Sequence, residues 1–130
     1  MRTHISIDGS NVLFWQVGQK RGDLPAVVAR ALIARRFAPV VCFDHSIGRH
    51  MSRCQLDALA ELVPIVIADK GTPADILLLE TIAQGQIISN DRFRDWRAQF
   101  PQLRNDRLVT GRIEQGGRVA FSKKLRPAPL

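Results

Sequence analysis

The chain has 130 residues, 45% of them apolar, and a formal net charge of +7 with a pI near 10.7. That length supports one compact domain with a real core, and no run approaches the ~18 uninterrupted apolar residues of a membrane span. Cys42 and Cys54 make neither a disulfide framework nor a CxxC pair, and MRTHISIDGSNVLF lacks a secretory leader's long apolar stretch, so a cytoplasmic protein with reduced thiols is expected.

HISID (4–8) alternates Ile5 and Ile7 with polar neighbours and predicts a short strand, closed by a Gly9-Ser10-Asn11 turn. LPAVVARALIARRF (24–37) has apolar residues at helical spacing, with Pro25 suited to a first turn. APVVCFD (38–44) predicts a second strand ending at Asp44, and HSIGRHMS a polar loop. RCQLDALAEL (53–62) predicts a short helix, and VPIVIAD (63–69) a third strand ending at Asp69. Lys70-Gly71-Thr72-Pro73 turns into a helix, ADILLLETIAQ (74–84), which Gly85 closes. QIIS (86–89) predicts a fourth strand, and DRFRDWRAQF (91–100) a helix ended by Pro101. RLVTGRIEQGGRVAFSKKL (107–125) predicts two strands around Gln115-Gly116-Gly117, with residues 126–130 a loose tail.

Strand and helix alternate. The expected fold is α/β, with a mainly parallel central sheet, helices on both faces and one domain over residues 1–125. Strands apolar on both sides suit a sheet covered on both faces. Right-handed crossovers put the strand C-termini along one edge, where ligands bind at the point of reversed strand order.

The carboxylates fall on that edge. Asp8, Asp44 and Asp69 end strands one to three; Asp75 lies in the first turn of the next helix; Asp91 follows strand four, with Asp95 one helical turn later. Such a cluster is costly unless cations neutralise it, and oxygen-only ligands suit Mg²⁺ or Mn²⁺. Each acid also has a structural alternative. Thr72 and Asp75 fit a capping box, Asp91 fits a helix start, and Asp95 fits a surface partner of Arg92 or Arg94.

The charge is uneven. Residues 1–91 hold 9 Lys/Arg against 9 Asp/Glu, whereas residues 92–130 hold 10 against 3. A basic segment beside a neutral body suggests a polyanionic partner, with a solvated face as the alternative. Arg92, Arg94, Arg97, Lys123 and Lys124 are the expected phosphate contacts. Phe93, Trp96 and Phe100 sit at helical spacing and are expected to pack on the sheet, which leaves Trp15 as the expected base-stacking residue. GxGxxG, P-loop and GxSxG patterns are absent.

IDGSNVLF, ADILLLETI and IISNDRFRDW, in this order and spacing, resemble the three motifs of NYN-domain ribonucleases of the PIN-like superfamily, of the regnase-type (Zc3h12-like) branch. The resemblance implies a Rossmann-like α/β/α sandwich that cleaves RNA with Mg²⁺ or Mn²⁺. It implies an acidic centre of Asp8, Asp75, Asp91 and Asp95, all four expected as metal ligands and catalytic, with Asn11 and Ser89 shaping it. Asp44 is a second-tier member. Many members of that branch carry two adjacent carboxylates where this chain has Ala74-Asp75. The alternatives are a non-catalytic RNA-binding module of the same fold and a metal-dependent phosphoesterase acting on small substrates. The basic hairpin at 108–122 offers an edge strand through which two copies could pair.

Overall fold

A computed structural model describes residues 3–81, 85–101, 103, 107–122 and 125. Strand β1 (Thr3–Asp8) lies at the centre of a five-stranded parallel sheet of order β3-β2-β1-β4-β5, completed by β2 (Phe37–Phe43), β3 (Ile65–Ile67), β4 (Ile87–Ile88) and β5 (Leu108–Val109). Helices α1 (Gly9–Val12), α2 (Leu24–Ala34), α3 (Arg53–Leu62) and α4 (Ala74–Glu80) connect or cover the strands. A separate antiparallel hairpin pairs β6 (Gly111–Ile113) with β7 (Val119–Phe121). The α/β/α sandwich and its parallel sheet are as the sequence predicts.

The two-residue period of the strands sorts their side chains onto opposite faces. Ile5, Ile7, Val41, Phe43, Ile88 and Val109 pack with α1, α2 and α3. Cys42, Ile87 and Leu108 face the other way, against Leu78 and Leu79 of α4 and against Phe93. Along α2, Leu24, Val28, Ala29 and Leu32 form the buried stripe, and Pro25 sits in the first turn, where its missing N–H breaks no helical bond. Full burial of one such aliphatic side chain stabilises the fold by roughly 1.5–3 kcal/mol. Among the described residues no helix is long and apolar enough to cross a membrane.

Several boundaries differ from expectation, each for a physical reason. Helix α2 stops at Ala34 because Arg36 takes a left-handed backbone (φ 68°) and Phe37 enters β2. Strand β3 is shorter than 63–69 and lies at the sheet's edge, so Val66 and Ile67 stay 41% and 47% exposed rather than covered on both faces. Thr72 caps nothing: Pro73 is the N-cap of α4, and the free Ala74 N–H donates instead to Asp44 Oδ1 at 3.1 Å. The expected helix over 91–100 is only a 3₁₀ turn, Arg94–Trp96, because Phe93 is left-handed (φ 52°). That conformation costs about 1 kcal/mol or more, and burial of the Phe93 ring to 1% exposure offsets it. The expected two strands over 107–125 are three, since Leu108–Val109 joins the main sheet beside β4 before the hairpin begins. Residues 82–84 and the expected loose tail at 126–130 lie outside the described residues.

Candidate functional site

The chain leaves β1 toward β2 on one side, while β4 and β5 lie on the other. Strand order therefore reverses between β1 and β4. Open parallel sheets bind ligands beyond the strand C-termini at such a point. A cleft of about 360 Å³ opens there, lined by Asp8, Asp44, Asp75 and Asp91 together with Ser10, Asn11, Phe14, Ser46 and His50.

Asp8 ends β1 and is only 5% exposed. Its Oδ1 accepts from the Asn11 backbone N–H at 3.3 Å, and its Oδ2 accepts from the Ser89 hydroxyl at 2.8 Å. Burial pushes its pKa up to about 6; the Ser89 and Asn11 bonds pull it down, and the charges of Asp75 and Asp91 push it up. Ser89, fully buried at the end of β4, also accepts from the Asp91 backbone N–H at 3.0 Å. One hydroxyl thus links the first acid to the loop that carries another.

Asp91 Oδ1 accepts from the Phe93 N–H at 2.8 Å, the local bond by which an Asp favours a turn over a helix. Asp91 and Asp95 are therefore not stacked on one helical face, contrary to expectation. Asp91 lines the cleft; Asp95 is exposed on the 3₁₀ turn outside it. Asp75 Oδ2 accepts from Trp96 Nε1 at 2.9 Å. Burial raises the Asp75 pKa, the Trp96 bond opposes this, and the charges of Asp91, Asp44 and Asp95 add to the rise. Asp95 thus acts on the centre through its field. Asp69 is exposed in the turn after β3 and takes no part in the cleft.

Asn11 accepts twice at Oδ1, from Trp15 Nε1 and from the Asn90 backbone N–H, each at 2.8 Å. Trp15 is 5% exposed and packs in the core, so the base-stacking role expected of it does not hold; Phe14 beside it is the exposed ring. Asn90 lies within IISNDRFRDW without an expected role. Its side chain bonds both backbone groups of Gly111, N–H to Oδ1 and Nδ2 to carbonyl, each at 2.9 Å, and so ties the hairpin to the acidic centre. The hint available in sequence was a carboxamide between Ser89 and Asp91. Ser10, which no sequence pattern singles out, accepts at its hydroxyl from the Asp44 N–H at 3.1 Å.

Arg92 and Arg94 are exposed and Arg97 half-buried, while Lys123 and Lys124 lie outside the described residues. Among the described residues the ion pairs are Arg21–Asp23, Arg53–Asp57 and Arg112–Glu114, so no cation side chain neutralises the cleft carboxylates. An oxygen-only, uncompensated donor set fits a hard divalent cation. Among the described residues no three Asp, Glu, His or Cys side chains are close enough to enclose an ion. Mg²⁺ commonly keeps several waters and takes only one or two carboxylates directly. Cys42 lies beside Asp8 in the sheet register; burial and then Asp8 push its thiol up to about 11, so it stays protonated and no thiolate serves the cleft.

Compared with known protein families, residues 1–114 match the model described as the Zc3h12a-like ribonuclease NYN domain. No curated protein matches the chain.

Proposed function

From the membership of this chain in the Zc3h12a-like ribonuclease NYN domain family, we propose that it is a metal-dependent endoribonuclease that hydrolyses phosphodiester bonds, mainly in single-stranded RNA. The observation that carries this reading is the convergence of Asp8, Asp44, Asp75 and Asp91 on one cleft at the switch point of the sheet, none of them ion-paired to a cation among the described residues. Asp8 and Asp91 would anchor Mg²⁺ or Mn²⁺, directly or through waters, with Asp75 completing its surroundings and Asp95 adding its charge from outside the cleft. Bound there, such an ion supplies an acidified water and a Lewis acid for the phosphoryl oxygens.

The chain's own side chains set up the rest. Ser89 holds Asp8 and the Asp91 loop in register, and Trp96 fixes one oxygen of Asp75, leaving the other to orient a water. Asn11 and Asn90 brace the loop from behind. Water adds to phosphorus as the P–O3′ bond breaks, which leaves a 3′-hydroxyl and a 5′-phosphate. Arg92, Arg94 and Arg97, with Lys123 and Lys124, would hold the backbone without reading sequence.

The test is cleavage of a labelled single-stranded RNA in Mn²⁺, Mg²⁺ or EDTA. Metal-dependent cutting by the wild type, abolished in Asp8→Asn and Asp91→Asn with RNA binding retained, is the expected result. Undiminished cutting by either variant would remove the assignment. One observation favours the binding-module alternative: Ala74, beside Asp75, is a buried methyl at 3% exposure and adds no carboxylate to the cleft. Salt-sensitive RNA binding with no cleavage in either metal would establish it.

A further inference from the structure

Beside the carboxylates, the lip of the cleft carries a different chemistry. Phe14 is 58% exposed although Leu13 and Trp15, its neighbours, are buried at 1% and 5%. The turn that presents it is bonded throughout. The Phe14 N–H donates to Asn11 O, Trp15 N–H to Val12 O, and Arg21 N–H to Leu13 O, at 3.1, 3.1 and 2.9 Å. A single exposed apolar side chain is ordinary on a protein surface. This one lines the same cleft as Asp8, Asp75 and Asp91. His50, also in the lining, meets it edge-on, with ring centroids 6.4 Å apart and planes at 70°. Lys20 Nζ donates to His50 Nδ1 at 3.3 Å, which brings an exposed ammonium to the same spot.

An aromatic face, an imidazole and a cation together match the parts of one nucleotide. The acidic centre repels phosphates, so a polyanion that reaches it needs attraction from its surroundings. Rings that stack bases and cations that follow the backbone are the usual means on single strands. Trp15 is buried and cannot supply the ring; Phe14 is exposed and adjacent.

We propose that Phe14, His50 and Lys20 form a subsite for one nucleotide of a single-stranded RNA, flanking the bond to be cleaved. The base stacks on Phe14, His50 holds that ring in place, and Lys20 pairs with the adjoining phosphate. This rests on the nuclease reading of the same cleft and adds how the strand is held. Stacking tolerates every base, so the subsite grips without choosing sequence, and it demands an unpaired base, so it favours single strands over duplex.

The experiment measures anisotropy of a short labelled RNA in EDTA with the full chain. The same RNA with its bases removed is the control, and steady-state cleavage in Mn²⁺ is the second readout. Phe14→Ala is expected to weaken binding of the ordinary RNA about tenfold and to leave the abasic RNA unchanged. In Mn²⁺ the variant is expected to raise KM by a similar factor with kcat little altered, and Phe14→Trp to restore both. Lys20→Ala is expected to flatten the salt dependence by about 0.7 in log–log slope. Unchanged affinity and KM in Phe14→Ala would overturn the subsite, as would equal losses on ordinary and abasic RNA. The expected binding pattern without cleavage in any metal would remove the hydrolytic reading and keep the subsite. Metal-dependent cleavage with Phe14→Ala equal to wild type would do the reverse.

Discussion

The Ser89 hydroxyl donates to Asp8 Oδ2 at 2.8 Å while accepting the Asp91 backbone N–H at 3.0 Å, so a single buried side chain joins the ends of β1 and β4. Hydrogen bonds to a charged group contribute about 1.5–3 kcal/mol, and a carboxylate that loses one becomes harder to ionise. The Ser89 bond lowers the pKa of Asp8. Ser89→Ala is therefore expected to move the acidic limb of the pH–rate profile upward and to cut kcat/KM by about ten- to a hundredfold, read from cleavage rates between pH 5 and 8. An unmoved limb would mean that Asp8 does not govern the profile.

Asp8 carries a stability cost of opposite sign to most carboxylates. Its pKa is raised by folding, from 3.8 to about 6, so between those values the folded state holds more protons than the unfolded one. Stability then falls as pH rises through that window, and the shift corresponds to about 3 kcal/mol lost above pH 6. Asp8→Asn removes the charge and keeps the shape. The Ser89 hydroxyl can rotate to accept from the new amide. In EDTA the variant is expected to melt higher than wild type at pH 7, with the gap closing near pH 4. Adding Mn²⁺ should raise the wild-type Tm and leave the variant's unchanged. A variant that melts lower at pH 7 would contradict the burial argument.

Asn90 holds the hairpin to the acidic loop by two side-chain bonds to Gly111. Asn90→Ala leaves both backbone groups without those partners. A loss of about 1–3 kcal/mol in stability is expected, together with faster amide exchange at Gly111. Cleavage should fall with it, because the loosened loop carries the retained residue-90 N–H away from Asn11 Oδ1. Unchanged exchange at Gly111 would show that the hairpin is held by packing alone.

Arg92 and Arg94 are exposed beside the cleft loop. The double variant Arg92→Ala, Arg94→Ala is expected to weaken RNA binding evenly across sequences and to reduce the salt slope by about 1.4. Melting temperature should stay within a few degrees of wild type, since surface changes seldom exceed 0.5 kcal/mol. A sequence-dependent loss would mean that these side chains touch bases.

Most of the architecture and most of the acids are legible in the chain itself. Period-two alternation in HISID and period-3.6 stripes in LPAVVARALIA are short-range patterns, and β1 and α2 follow them. Carboxylates at strand ends follow once the strands are parallel, which places Asp8, Asp44, Asp75 and Asp91 on one edge without any contact being known.

Tertiary packing decided the rest. Phe14 and Trp15 are adjacent aromatics; which one is buried depends on the hairpin, where a side chain at Gly111 would collide with the Trp15 ring. The run 91–100 has helical spacing, yet the Asp91 bond to Phe93 N–H and the pull of the second core on the Phe93 ring break it. Asp44, 30 residues from Ala74 in sequence, supplies the cap that Thr72 was expected to give. Periodicity and turn chemistry act over a few residues and are legible in the chain itself. Choices among neighbouring residues of equal propensity are made by partners distant in sequence, and only the folded structure brings those partners together.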